Sequence, residues 1–430
     1  MKNTTSFLGI LMLSLLLAQC DWNYDVRPFL FTDDIALQDL SIVGGFSSAL
    51  FTHPVNQYGH VWSMNNDEPI VGQDFVTELN FTPDQTPIDS TRFISKLTNV
   101  PSSTDIYYRA YVELDNGDIF YSATKTFNLS KDFWVKLPYE PNCGPGKRRA
   151  AISFTYNNVA YVGFGNEDNQ VLKDLWKFDP SNPNSCKWVK LQDVPAQERQ
   201  FAVAFVIGDA AYIGSGNNFN GNLKDFISFD LINDEWLEPN SDWSIPKNNT
   251  SATVVSTDSF AILAGGVLEA NNNYSKEVWM FRDNNWMRID DLPSVSGRIG
   301  MTSFILDKKA YFGLGEQKAP SEKYPSNFYV LNLETFEWKN EPINLEVDGI
   351  MAIGRRYASS FVINDIAYVG IGDNQGSLSD FYKFKDDSWE KIKSYPFETN
   401  QAVSFSLNEQ GYIFGGEGIE SSNNFQTYYP

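Results

Sequence analysis

Short apolar runs alternate with short polar segments along most of the chain, and one run recurs six times after residue 159. Each copy is a stretch of small, aromatic and aliphatic residues that ends in glycine. The closing glycines are spaced 51, 50, 49, 57 and 44 residues apart. Self-similarity at such a period indicates a repeat array. The copies occupy residues 160–165, 211–216, 261–266, 310–315, 367–372 and 411–416.

Other positions keep a constant register with the closing glycine. An apolar residue stands 11 positions before it in every copy, as Phe154 does before Gly165. An acidic or amide residue follows the glycine and is itself followed four positions later by a bulky apolar residue. Each repeat therefore predicts four short strands joined by turns rich in glycine, asparagine and aspartate. A tryptophan ends five of the repeats: Trp188, Trp236, Trp286, Trp338 and Trp389.

The sixth repeat has no tryptophan before the sequence ends at Pro430. A matching segment, DFWVKLP at residues 132–138, precedes the first full repeat and contains Trp134. We predict that this N-terminal strand pairs with the last three strands and completes a sixth sheet. A closed ring of sheets leaves no long unpaired edge, which is the hazard of an open sheet.

The pattern resembles the kelch repeat, in which a tyrosine precedes a glycine pair and a tryptophan comes late in the unit. Two copies carry adjacent glycines, and the other four have Gly-x-Gly, as in Gly163 and Gly165. The resemblance covers about residues 131–430. It implies an all-β fold in which a six-bladed kelch-type β-propeller, closed by the N-terminal strand, follows a small β-sandwich.

Residues 1–19 have the features of a lipoprotein signal peptide. Lys2 gives a charged start, and the apolar run 7–17 is too short to span a bilayer. The run is followed by Leu17-Ala18-Gln19-Cys20, which resembles a bacterial lipoprotein box with Gln19 in place of the usual glycine or alanine. The resemblance implies lipidation of Cys20 and anchoring in the outer membrane, at the cell surface or on the periplasmic face. An ordinary cleaved signal peptide is the alternative.

Residues 20–32 show no clear period and are interpreted as a tether. Residues 33–130 predict a β-sandwich, with strands at 41–51, 59–64, 92–97, 106–114 and 119–127. The run YYRAYVELDNGDIFYSATKTF at residues 107–127 resembles fibronectin type III-like modules of exported Bacteroidota proteins, which space or present a neighbouring domain. His53 and His60 fall in this part and are interpreted as surface or core residues, because no third metal ligand is nearby.

The net charge bears on the kind of partner, and the cysteine positions bear on disulfide pairing. The formal net charge is −21, which argues against a nucleic-acid partner because phosphates require a basic surface. Cys143 and Cys186 remain if Cys20 carries lipid. We expect them to be unpaired. In the repeat register, Cys143 precedes the innermost strand of the first blade and Cys186 precedes its outermost strand. These two positions should lie on opposite faces of the propeller, too far apart for a disulfide.

The candidate ligand site is a ring of residues 17 positions before each closing glycine. Four of the six ring positions are arginine, and two more arginines stand directly beside members of the ring. Guanidinium groups at one mouth of the channel could hold a carboxylate or sulfate, as in kelch proteins that bind acidic peptides or sialic acid. They could equally brace the loops against backbone carbonyls or acidic neighbours. The candidate residues are Arg148, Arg149, Arg199, Asn249, Arg298, Arg355 and Arg356.

No catalytic residues, metal or cofactor are predicted. Kelch copper oxidases require histidine ligands, and both histidines of this chain precede residue 131. Ser/His/Asp and Cys/His catalysis are excluded from the propeller for the same reason. The sequence therefore favours a protein-binding module that is an accessory subunit of an outer-membrane complex. A sugar epimerase or mutarotase acting on sialic acid, or a glycan-binding protein, is the alternative.

Overall fold

The computed structural model covers most of the chain. The predicted signal peptide and Cys20 lie outside the described residues. Those residues are 30–33, 41–47, 51–80, 91–97, 105–128, 133–137, 143–182, 184, 186–238, 240–247, 249–268, 273–318, 323–418 and 424–430.

The chain divides into two compact units, Met1–Ser130 and Lys131–Pro430. In the first unit, two antiparallel sheets pack around a shared core that includes Phe46, Phe93 and Val112. The strand Leu30–Thr32 lies within the stretch interpreted as a tether. It is an edge strand instead, because Leu30 and Thr32 are buried against the core. The first sheet contains Leu30–Thr32, Ser41–Phe46 and Thr91–Lys96, and the second Phe75–Asn80, Val55–Ser63, Asp105–Leu114, Ile119–Tyr121 and Lys125–Asn128.

The two histidines of this unit differ in environment. His60 is fully buried, and its ring nitrogens lie 2.9 Å from Thr32 Oγ1 and 2.9 Å from Ser95 Oγ, so it links the two sheets. Burial lowers the pKa of His60 to about 3, which keeps the ring neutral at physiological pH. His53 is exposed and pairs with Asp115 at 3.1 Å.

The second unit consists of six four-stranded antiparallel sheets, which we call blades 1 to 6 in chain order. The second strand of each blade is buried on both faces because neighbouring blades cover it, which explains its nearly continuous apolar sequence. The strands are Ile152–Tyr156, Val159–Gly163, Leu175–Phe178 and Trp188–Lys190 in blade 1; Val203–Ile207, Ala210–Gly214, Phe226–Asp230 and Glu235–Trp236 in blade 2; Thr253–Ser256, Ala261–Ala264, Val278–Arg282 and Asn285–Ile289 in blade 3; Thr302–Leu306, Lys309–Gly313, Asn327–Asn332 and Ile343–Asn344 in blade 4; Ser359–Ile363, Ile366–Asp373, Ser377–Lys385 and Ser388–Ile392 in blade 5; and Val403–Leu407, Gln410–Phe414, Phe425–Tyr429 and Phe133–Lys136 in blade 6.

Among the described residues, short ladders and a 3-10 helix lie outside these blades. No helix in the described part of the chain is long and apolar enough to cross a membrane. The additional elements are Asn166–Glu167 with Gln170–Val171, Asn217–Asn218 with Gly221–Asn222, Asn249–Thr250 with Val267–Leu268 and Asn273–Tyr274, Arg298–Ile299 with Glu316–Gln317, Glu346–Val347 with Ile350–Met351, and the 3-10 helix Ser241–Trp243.

The first strands of the blades form a closed ring around the central channel. Each of them contacts the first strand of both neighbouring blades, including blade 6 against blade 1. Serine hydroxyls reinforce these contacts by donating to a carbonyl of the preceding blade, as Ser360 does to Ser303 at 3.0 Å. Ser153, Ser303 and Ser404 make the equivalent bonds, to Ser404, Val254 and Ser360 respectively.

The predicted closing strand is confirmed. Phe133–Lys136 pairs antiparallel with Phe425–Tyr429, so the two ends of the propeller share one sheet. Trp134 is 9% exposed and packs against Phe381, Tyr395 and Tyr428, with ring centroids 4.9 to 5.1 Å away. This strand joins blade 6 to blade 5 through aromatic packing.

The expectation that Cys143 and Cys186 are unpaired is wrong. They form a disulfide whose Cα atoms are 5.6 Å apart. Trp188, at the start of the outer strand of blade 1, packs on Phe414 and Phe425 of blade 6. Twist between successive strands carries this outer strand across toward the neighbouring blade. Cys143 and Cys186 are therefore brought together, which the assignment to opposite faces did not allow for.

Candidate functional site at the channel mouth

The candidate site is the end of the channel where the first strand of every blade begins, which we call the mouth. The four ring arginines are buried here, at 4% exposed or less. In blade 5, the Arg355 guanidinium bonds Asp380 at 2.7 Å and the carbonyl of Ile371 at 3.3 Å. The same arrangement recurs for Arg148 with Asp174 at 2.8 Å, Arg199 with Asp225 at 2.7 Å and Arg298 with Asn327 at 2.8 Å.

These contacts turn the guanidinium groups into their own blades rather than toward an open channel. Burial alone would raise the pKa of Asp174 and Asp380. The hydrogen bonds and charge of Arg148 and Arg355 outweigh that effect and hold both pKa values below their ordinary range. Asn249 acts similarly in blade 3, where its amide donates to the carbonyl of Gly265 at 2.9 Å. The structure thus favours the bracing interpretation for Arg148, Arg199, Asn249, Arg298 and Arg355.

A ring of backbone hydrogen bonds narrows the channel just inside the mouth. One residue from each blade donates its amide N–H to the carbonyl of its counterpart in the preceding blade, over 2.7 to 3.3 Å. All six have φ between 51° and 58°, a left-handed conformation that costs energy for every member except glycine. The six residues are Ala150, Phe201, Ser251, Gly300, Tyr357 and Gln401.

Two aromatic side chains of this ring meet across the channel. Phe201 of blade 2 and Tyr357 of the opposite blade 5 have ring centroids 5.3 Å apart. They line a cavity of about 130 Å³ together with small residues such as Ala202 and Ala358. Sequence reasoning missed this pair, because the ring depends on backbone conformation and its six positions share no side-chain type.

Arg356 is the centre of a polar cluster above the aromatic pair. Its side chain is 31% exposed and bonds Asp373 at 2.9 Å and Glu316 of blade 4 at 2.5 Å. Tyr274 of blade 3 donates to the same Glu316 carboxylate at 2.9 Å. Burial, followed by the bond to Glu316, raises the pKa of Tyr274 to about 12, so the phenol stays protonated. The Arg356 guanidinium also lies 5.2 Å from the ring centre of Tyr357.

Arg149 occupies the equivalent position at the junction of blades 1 and 6. It is 35% exposed and pairs with Glu417 of blade 6. Gln401 donates to the other oxygen of Glu417 at 3.1 Å. Both exposed arginines predicted as ligand residues therefore carry a carboxylate partner from the neighbouring blade. A binding role for Arg149 and Arg356 stays a prediction.

Exposed apolar side chains lie on the same face. The mouth-side loops join the second strand of a blade to its third, and the fourth strand to the next blade. Phe219 is 75% exposed in such a loop of blade 2, and Val295 is 84% exposed between blades 3 and 4. Ile350, Met351 and Ile353 are 73%, 46% and 54% exposed between blades 4 and 5. We call these five residues the apolar rim.

Within the described residues, no group of three or more His, Cys, Asp or Glu side chains is arranged to hold a metal ion. What the mouth offers is a mixture of carboxylates, amides and tyrosine hydroxyls around two guanidinium groups. Such a set can hydrogen-bond polar groups of either a protein or a small hydroxylated molecule.

Comparisons with known proteins agree with the architecture. A family model described as the KLHDC2/KLHL20/DRC7 kelch-repeats domain matches residues 114–315. A solved structure titled "Structure of YjhT" superposes with a TM-score of 0.56 at 16% identity, over 66% of this chain and 94% of that one. The fold is a kelch-type β-propeller. The prediction of fold class is confirmed.

Two curated proteins with limited similarity to this chain have names that describe enzymes. N-acetylneuraminate epimerase 1 from Escherichia coli O6:H1 is 22% identical over 316 residues, which covers 61% of this chain and 82% of that protein. N-(sulfonatooxy)prop-2-enimidothioate sulfolyase from Thlaspi arvense is 22% identical over 210 residues, covering 45% of this chain and 59% of that protein. At this identity, the similarity informs a proposal about activity and does not assign one.

Proposed function

We propose that the protein is an exported lipoprotein, anchored in the outer membrane through Cys20, that binds another outer-membrane or cell-surface protein with the mouth face of its propeller. The observation that carries this proposal is the apolar rim on that face. Contiguous exposed apolar side chains bordered by polar ones are typical of surfaces that bind proteins, and Ile350, Met351 and Ile353 lie close together in a single loop. The loops that present the rim stand on a closed, disulfide-linked ring, which suits a rigid binding scaffold.

Two further features support export and binding. Disulfides persist in oxidising compartments outside the cytosol, so the Cys143–Cys186 bond fits the predicted signal peptide. Binding is favoured over catalysis because the propeller sequence contains no histidine and both exposed arginines at the mouth are already paired with carboxylates.

Removing the rim is expected to release the partner. In the variant Ile350→Ser with Met351→Ser and Ile353→Ser, a companion that co-purifies stoichiometrically with the native protein from detergent-solubilised membranes should be lost. The matched control is Ile232→Ser, since Ile232 is 63% exposed in a turn on the opposite face of blade 2. The proposal fails if no stoichiometric companion is found, or if both variants retain it equally.

The cluster at Arg356 favours a second candidate, a sugar epimerase or mutarotase. Opening a cyclic sugar requires a group that takes the proton of the anomeric hydroxyl and one that protonates the ring oxygen. In this structure the two oxygens of Glu316 bind Arg356 and Tyr274. A sugar hydroxyl that replaces the Tyr274 bond would leave Glu316 to accept the proton and the protonated Tyr274 to donate one. The similarity to a protein named N-acetylneuraminate epimerase supports the same chemistry.

The second candidate predicts that the purified protein speeds the interconversion of N-acetylneuraminic acid anomers, followed by one-dimensional NMR. Glu316→Gln should remove the acceleration because an amide cannot accept the proton, whereas Asp168→Asn, an exposed turn residue of blade 1, should retain it. Anomer exchange no faster than in buffer would exclude this activity. Neither outcome affects the companion experiment, so the two candidates are separated.

A further inference from the structure

Three of the five apolar-rim residues belong to one short segment between blades 4 and 5, which we call the rim hairpin and define as residues 346–353. Its strands Glu346–Val347 and Ile350–Met351 pair antiparallel and are joined by Asp348 and Gly349. Both turn residues have positive φ, 51° and 77°, as a type I′ turn requires, and Asp-Gly is a favoured sequence for that turn. The hairpin is therefore a defined structure and not an irregular loop.

The rim hairpin presents apolar side chains and an open strand edge to solvent. Ile350, Met351 and Ile353 are 73%, 46% and 54% exposed. Within the described part of the chain, Ile350–Met351 pairs with Glu346–Val347 alone, so no strand pairs with its outer edge. An exposed strand edge can accept an extended segment of another chain.

The charges within this segment are all negative. Residues 340–354 include Glu341, Glu346 and Asp348 and contain neither lysine nor arginine. All three acidic side chains are exposed, and none has an ion-pair or hydrogen-bond partner among the described residues. Glu346 lies directly opposite Met351 in the hairpin, so a carboxylate and an apolar side chain are neighbours on one face.

Two cations beside the rim hairpin are already engaged by another carboxylate. Lys323 precedes Tyr324, whose carbonyl oxygen packs against Gly354 at the end of the hairpin. Lys323 and Arg356 both pair with Glu316, at 3.7 and 2.5 Å. The acidic side chains of the hairpin are therefore left to attract a cation from outside the molecule.

These charges decide between three occupants of the rim hairpin. A bilayer surface that carries anionic lipids repels acidic side chains, which disfavours insertion of the hairpin into a membrane. A second copy of this chain has a formal net charge of −21 and is repelled in the same way. Another protein avoids this repulsion if its contacting segment combines apolar side chains with lysine or arginine.

We infer that the rim hairpin binds an extended segment of the partner protein that is both basic and apolar. Apolar side chains of that segment pack on Ile350, Met351 and Ile353, and its lysine or arginine side chains pair with Glu346 and Asp348. This inference rests on the proposed protein contact at the apolar rim and adds the chemistry of the partner. The charge of the partner is the opposite of the one that the arginine ring predicted from the sequence.

The test uses the full chain with Cys20→Ser, which removes the proposed lipid, and three fluorescent peptides of equal length. The peptides alternate isoleucine and valine with lysine, with serine or with glutamate, and binding is followed by fluorescence anisotropy. The lysine peptide should bind most tightly and the glutamate peptide least. In the variant Ile350→Ser with Met351→Ser and Ile353→Ser, binding of the lysine peptide should be lost.

A charge variant isolates the contribution of the acidic side chains. Glu346→Gln with Asp348→Asn keeps their size and should weaken binding of the lysine peptide about fivefold, the combined effect of two exposed ion pairs. The difference should disappear at about 1 M salt, where the Debye length is about 3 Å. The matched control is Asp386→Asn with Asp387→Asn, which removes the same charge from an exposed turn on the opposite face of blade 5.

Three results would overturn the inference. The lysine peptide might be bound no better than the glutamate peptide, or both charge variants might weaken it equally. Vesicles of phosphatidylcholine and phosphatidylglycerol might instead sediment with the protein and fail to do so with the serine variant, which would assign the hairpin to a membrane. If the serine variant loses its companion but the peptides show no preference for lysine, the proposed protein contact stands and only its basic partner is removed. If the serine variant keeps its companion, the proposed contact fails and this inference fails with it.

Discussion

Replacing Arg355 with alanine is expected to lower the free energy of unfolding of the propeller by about 3 to 5 kcal/mol, the usual cost of removing one partner of a buried ion pair. The Arg355 side chain is fully buried and bonds Asp380, whose side chain is 17% exposed. Its loss leaves that carboxylate without its cation and also frees the carbonyls of Ile353 and Ile371. Denaturant unfolding monitored by tryptophan fluorescence measures the change.

A surface arginine provides the matched control. Arg288 pairs with Asp291 at 2.8 Å, but the two side chains are 48% and 39% exposed, so Arg288→Ala should change stability little. Combining Arg355→Ala with Asp380→Ala should recover part of the loss, because no uncompensated carboxylate remains. Equal stability of Arg355→Ala and the native protein would show that Arg355 does not brace its blade and would return it to the list of ligand residues.

A loss of stability in Arg355→Ala is the opposite of what a ligand-binding role for the ring arginines predicts. If the arginine ring were a ligand site, Arg148→Ala with Arg298→Ala would weaken an acidic ligand and leave the melting temperature nearly unchanged. The repeat pattern contained the signal for bracing. Arg148 and Asp174 have counterparts in other blades, and three of the four ring arginines are followed 25 or 26 residues later by an aspartate. The arginine position or the aspartate position alone did not show that the two side chains pair within one blade.

The architecture was predictable because the repeat register records the strand order. Closing glycines, late tryptophans and the strand around Trp134 together specified six blades and the shared sheet. The disulfide was not predictable from the same register. Register locates a residue along its strand, whereas the contact between Cys143 and Cys186 depends on the twist that brings blade 1 against blade 6.

The mouth itself was predicted only in part. Arg149 and Arg356 do lie there, but the aromatic pair of Phe201 and Tyr357, which meets across the channel, was not predicted. These two residues belong to a backbone ring whose members share a dihedral angle rather than a side-chain type, so alignment of the repeats conceals them. The apolar rim was likewise missed, since isolated isoleucines in a loop cannot be distinguished by sequence from core residues.

Trp134→Ala is expected to destabilise the propeller by about 3 to 5 kcal/mol, the typical loss for a buried tryptophan. The reason is the aromatic contact with Phe381, Tyr395 and Tyr428. Trp389→Ala is the matched control, because Trp389 has the same register in blade 5 and is 8% exposed, compared with 9% for Trp134. Loss of packing alone should therefore lower the free energy of unfolding of both variants by a similar amount.

The two variants should differ in where the structure opens. The strand that contains Trp134 is attached to blade 6 through pairing with Phe425–Tyr429, whereas the outer strand of blade 5 follows its partner directly in the chain. Trp134→Ala should speed amide exchange in Gln410–Phe414 and Phe425–Tyr429, measured by mass spectrometry, while Trp389→Ala leaves these segments protected. If both variants exchange alike in blade 6, the N-terminal strand does not hold the ring closed, and a mouth formed from blades 1 and 6 loses its structural basis.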